Sequence, residues 1–176
     1  VSWLINQLIF TCLVLSLYQL LQSVNKDIAR VMLVLALVPV PIAFINELNY
    51  MAVLNIINSS TLLLSTQEIR AQVSLFLDLH TSGIYIAHIF WGMWMLPFGY
   101  LIIKSKFIPK IFGYLLLIGG IGYLTDFCIY FFLPDVKLTL SIYTGWGEVL
   151  LPLWLLIKGM NMNRQGETHD KQVTYS

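Results

Sequence analysis

Five apolar stretches divide this chain: Val1 to Leu21, Val31 to Ile57, Gly83 to Ile103, Ile111 to Leu133 and Ile142 to Ile157. Each is about long enough to cross a hydrocarbon core of about 30 Å. No water reaches backbone N–H and C=O groups inside a bilayer, so continuous apolar runs of this length fold as helices that satisfy their own backbone. The expected fold is all-α, a multi-span transmembrane helical bundle. Residues 1–160 form it as one domain, and the polar stretch 161–176, which has no apolar periodicity, reads as a disordered cytoplasmic tail. At 58% hydrophobic and 11% charged residues the chain is too apolar for a soluble domain of its size.

The basic residues orient the bundle. Lys26, Arg30, Lys104, Lys106, Lys110, Lys158, Arg164 and Lys171 lie in alternate connections and the tail, whereas only Arg70 and Lys137 lie in the others. Lysine and arginine accumulate on the cytoplasmic side, which puts the C-terminus in the cytoplasm of a multi-pass inner-membrane protein. Five spans with that tail inside leave Val1 outside, without an initiating methionine or a basic leader. A sixth helix is therefore expected ahead of Val1. The net charge of +1 offers no basic surface for nucleic acid. Cys12 and Cys128 fall inside spans and read as small packing residues, not as a disulfide or a metal site.

The connections differ in character. In the outer one, Ser65 and Glu68 fit a capping box, and Ile69, Val73, Phe76, Leu77 and His80 recur at helical spacing. An amphipathic helix lying at the outer interface is expected there. The inner connection from Lys104 to Lys110 is so short that the third and fourth spans must be antiparallel neighbours. Pro39 and Pro41 predict a kink in the second span.

Polar groups concentrate in the outer half. Glu47, His88, Asp126 and Glu148 all fall there, at the level of Asn6, Gln7, Thr11, Asn46 and Asn49. Thr81, Tyr85, His88, Gly92 and Gly99 share one helical stripe, and Gly119, Gly122, Tyr123, Asp126 and Tyr130 share another. Small residues let helices approach closely in lipid, so these stripes should face protein and bring His88 toward Asp126. One reading makes Glu47, His88, Asp126 and Glu148 an interhelical hydrogen-bond network. A second makes them an outward-facing site for a small molecule, an ion or a lipid headgroup. A third, intramembrane metal-dependent hydrolysis, would draw its metal ligands from Asp78, His80, His88, Asp126, Glu47 and Glu148, although no HExxH motif is present. A fourth is an accessory subunit of a membrane complex. The residues name no catalytic group and no cofactor.

The run from Phe90 to Gly113, Phe-Trp-Gly-Met-Trp-Met-Leu-Pro-Phe-Gly-Tyr-Leu-Ile-Ile-Lys-Ser-Lys-Phe-Ile-Pro-Lys-Ile-Phe-Gly, resembles the best-defined part of a bacterial membrane family, domain of unknown function 4386. The similarity continues through Leu115-Leu-Leu-Ile-Gly-Gly-Ile-Gly-Tyr-Leu-Thr-Asp126, Gly147-Glu148 and Trp154-Leu-Leu-Ile-Lys-Gly159. It implies a bacterial cytoplasmic-membrane bundle with one more hydrophobic helix at the front, and it carries no mechanism. Gly119-Gly120-Ile-Gly122 sits mid-span, where it suits helix packing and not a phosphate loop.

Overall fold

The computed structural model describes residues 2–58, 65–133, 135–136 and 138–158. The order is α1 (Ser2–Leu21), α2 (Lys26–Leu37), α3 (Pro39–Asn58), α4 (Thr66–Lys104), α5 (Lys110–Phe132) and α6 (Ser141–Thr144). A last helix, α7, covers residues 146–158. Four units are long and apolar enough to cross a membrane: α1, the joined α2 and α3, α4 and α5. The fifth expected span is helical too, but a turn at Gly145 breaks it into α6 and α7, each short of a crossing on its own. The tail 161–176 lies outside the described residues.

Local chemistry sets the helix ends. Asn25 caps α2, its side chain accepting from the N–H of Asp27 (3.1 Å) and Ile28 (3.0 Å). Pro39 and Pro41 deprive the carbonyls of Leu35 and Leu37 of their donors, so the helix is interrupted at Val38, which keeps helical dihedrals between α2 and α3. Ser65 and Glu68 form the capping box at the start of α4. That helix then runs unbroken for 39 residues, about 58 Å at 1.5 Å per residue. This corrects one expectation: the amphipathic segment is not a separate helix lying in the interface. Gly83 alone does not stop a helix that has its own cap, so the segment is the projecting first part of α4.

Two glycine pairs lock α4 against α5. A methyl group on Gly92 would stand 2.7 Å from the carbonyl oxygen of Gly120, and one on Gly99 would stand 2.7 Å from that of Gly113. The reciprocal positions are equally closed, with 2.8 Å from Gly120 to the Gly92 oxygen. Ser82 and Tyr130, hydrogen bonded at 2.9 Å, continue the same antiparallel register. The glycines that face the α4 backbone, Gly113 and Gly120, lie outside the expected stripe on α5; within that stripe Gly122 faces Thr144 and Gly119 meets both Met95 of α4 and Thr144, while Gly147 of α7 packs on the backbone of Leu115 and Leu116. α5 is held between two neighbours because it carries small residues on two sides.

The dry core fills the half of the bundle nearest the Lys104 to Lys110 connection. Leu21, Met32, Met95, Leu101, Ile102, Leu116 and Leu151 are fully buried there. Lys158 donates to the Phe107 carbonyl at 3.2 Å, so α7 ends beside that connection. Outward faces are as apolar as the core, with Ile45, Ile111, Ile118 and Ile121 all exposed, as a bilayer-facing surface requires. Cys12 and Cys128 belong to that surface and not to the packing, against expectation; they lie on outward-turned positions of α1 and α5.

Candidate functional site

The polar residues fold into distinct groups. On the α3–α4 side the Asn46 amide donates to the His80 carbonyl at 2.9 Å and packs into the space left by Gly83, where a Cβ would collide with it. His80 Nε2 stands 3.7 Å from Glu47 Oε1, and the Tyr50 ring lies on the imidazole at 3.9 Å between centroids. Glu47 thus has a partner on α4, but it is His80. A tight polar clasp of this kind joins helices, and the space beside it is only about 10 Å³.

Asp126 is 1% exposed. Its two carboxylate oxygens accept the backbone N–H groups of Leu140 (2.6 Å) and Ser141 (3.0 Å). Those donors open α6 and have no partner inside that helix, so a carboxylate on α5 satisfies them and ties down the chain between α5 and α6. A cavity of about 530 Å³ lies beneath that chain, bounded by Tyr85, Asp126, Tyr130 and Thr139. Its principal polar groups are already paired, Asp126 with backbone and Tyr130 with Ser82.

His88 makes no hydrogen bond to Asp126, whose oxygens accept from the chain entering α6. The imidazole is buried among rings instead, with Tyr85 and Tyr123 at 5.0 Å and Trp91 at 5.4 Å. Its Nδ1 has no hydrogen-bond partner. One step further in, the Tyr123 hydroxyl lies against the Glu148 carboxylate of α7. Glu148 Oε1 is likewise buried and unpaired.

Glu148 opens onto a second cavity of about 220 Å³, lined by Asn6, Gln7, Phe10, Trp91, Trp94 and Tyr123. Four aromatic side chains and one carboxylate therefore line it, with two amides from α1. Trp94 is held edge-on by Phe10 at 5.6 Å and stacked on Phe98 at 5.1 Å, so the wall is fixed by packing. An unpaired buried acceptor costs about 1–3 kcal/mol.

Of the four residues singled out from sequence, His88 and Glu148 are linked through Tyr123, Asp126 closes the adjoining loop, and Glu47 belongs to a separate contact. The aromatic members Trp91 and Trp94 were not legible as site residues, since tryptophans in an apolar span carry no signal that separates cavity wall from lipid face. Among the described residues no three of His, Cys, Asp and Glu converge as a metal ligand set. Asp78 is exposed on the projecting part of α4, away from His88 and Glu148.

Comparison with known proteins agrees with this picture at the level of family. The model of a domain of unknown function, DUF4386, matches residues 1–159. An uncharacterized protein of Archaeoglobus fulgidus is 30% identical over 148 residues, covering 84% of this chain and 75% of that protein. That relative is archaeal, so this kinship does not assign the chain to a bacterium. No solved structure matches. A match spanning all the described helices, with a relative at this identity, establishes that the chain is a multi-pass membrane protein of the DUF4386 family.

Proposed function

We propose that this protein is a membrane-embedded binding protein whose site is the Glu148 cavity, open toward the outer face, and that its ligand carries a small organic cation of the ammonium class. The observation that carries the reading is the unpaired, buried Oε1 of Glu148, a residue that lines the cavity together with Phe10, Trp91, Trp94 and Tyr123. Ring faces attract a cation through their quadrupole, and a desolvated contact of this kind is worth about 2 kcal/mol. The carboxylate supplies the counter-charge in a setting where an unpaired ion is costly. His88, packed on Tyr123 and Trp91, positions both rings, and Asp126 holds the α5–α6 chain that leads into α7. The outward orientation follows from the basic residues gathered at the opposite end of the bundle. Metal-dependent hydrolysis gains no support, since its candidate ligands do not converge.

Thermal unfolding of the protein in neutral maltoside micelles, with tetramethylammonium chloride against equal sodium chloride, tests the reading. At one hundred times Kd the ligand should stabilise the fold by about 2.7 kcal/mol. Glu148→Gln should abolish the shift, and Glu47→Gln should leave it intact. An equal shift in the Glu148 variant, or none in the parent protein, would overturn the proposal.

A further inference from the structure

The Glu148 cavity does not end at its polar floor. A narrower apolar recess of about 130 Å³ shares Phe10, Trp94 and Glu148 with it, so the two spaces meet around one carboxylate. Leu13 and Leu17 of α1, Phe98, Leu116, and Leu151 and Leu155 of α7 wall the recess. Both α1 and α7 enter at the polar end and leave at the basic end. Leu13 and Leu17 therefore lie below Gln7, as Leu151 and Leu155 lie below Glu148, one to three turns deeper in the membrane. Leu13 is 37% exposed, so the α1 wall of the recess also borders the bundle's apolar surface.

We infer that the cation is the head of a single-chain amphiphile that enters laterally from the bilayer, with its alkyl chain in the recess between α1 and α7. This rests on the cation-site reading above and adds the chemical class of the ligand. The polarity matches: head at the outer level against Glu148 and the aromatic rings, chain pointing to the bilayer centre, as such a molecule already lies in an outer leaflet. The size selects one chain, because a cavity of about 150 Å³ takes a molecule no larger than benzene. The recess thus encloses the first methylenes of one chain and releases the rest to lipid. Charge selects the head. Neither space is lined by Lys or Arg among the described residues, so an anionic headgroup would meet only Glu148.

The test compares decyltrimethylammonium with tetramethylammonium, measured by thermal shift and by tryptophan fluorescence in maltoside micelles. The parent protein should bind the decyl compound at least tenfold more tightly. Leu13→Trp and, separately, Leu155→Trp narrow the recess, and either should cut that preference at least fivefold while tetramethylammonium binds as before. Comparing variants with parent cancels partitioning of the decyl compound into micelles. A decyl analogue with a diazirine on its chain should give photoadducts on α1 and α7. Unchanged chain-length preference in both Trp variants, adducts confined to other helices, or cross-links to a second copy of the chain in place of adducts would overturn the inference while leaving the cation site standing. Loss of tetramethylammonium binding itself would instead strike the reading beneath it.

Discussion

Replacing Gly99 by alanine probes the contact on which the bundle turns. The new methyl carbon would lie 2.7 Å from the Gly113 carbonyl oxygen and 2.9 Å from Leu117 Cγ. Ordinary contact needs about 3.4 Å or more, and the nearer obstacle is backbone of the facing helix, which cannot rotate aside. α4 and α5 must therefore separate by several tenths of an ångström along their whole glycine seam, and overpacking of that kind costs about 1–3 kcal/mol. Alanine recovers about 0.5–1 kcal/mol in helix entropy, so the mid-range expectation is a net loss of about 1 kcal/mol. Gly113→Ala probes the same contact from the other side. Once one methyl has spread the helices the second has less to displace, so the double variant should lose less than the sum of the two. Denaturation in mixed micelles, followed by tryptophan fluorescence, measures these values, with Ile121→Ala on the exposed face as the control at under about 0.5 kcal/mol. A Gly99→Ala protein as stable as its parent, or strictly additive losses, would refute the glycine-pair packing.

Two further outcomes are expected. Asp126→Ala leaves the N–H groups of Leu140 and Ser141 without acceptors, and should cost about 1–3 kcal/mol and speed protease cleavage between α5 and α6; unchanged cleavage would show that the carboxylate does not hold that chain. In a variant lacking Cys12 and Cys128, a water-soluble maleimide applied from outside should label Gln72→Cys on the projecting part of α4 and spare Phe107→Cys in the basic connection. The reverse pattern would invert the proposed orientation.

What could be read from the residues follows physical periodicity and breakers. Hydropathy located the apolar spans, Pro39 and Pro41 marked the break between α2 and α3, Ser65 and Glu68 marked the start of α4, and the short run to Lys110 made α4 and α5 neighbours. The single apolar stretch from Ile142 concealed the Gly145 turn, because hydropathy averages over a local break. The continuity of α4 was hidden for the opposite reason: an amphipathic pattern passing into an apolar one suggests two helices, although no residue between Leu79 and Ile84 ends one. The roles of single polar residues were harder still. Asp126 serves backbone groups fourteen and fifteen positions downstream, and Glu47 meets His80 across two helices, distances that leave no trace in spacing. The stripe on α5 did not separate its two neighbours because small residues run around the helix: Gly120 meets the α4 backbone, Gly122 meets Thr144, and Gly119 between them meets both Met95 and Thr144.

The central claim is that Glu148 and the rings around it form a binding site and not merely a helix contact. An experimental density map of the protein purified with tetramethylammonium tests it most directly. Density is expected in the cavity lined by Trp91, Trp94 and Glu148, and absent from the Glu148→Gln protein. A cavity closed by Gln7 bonded onto Glu148, with no added density, would contradict it.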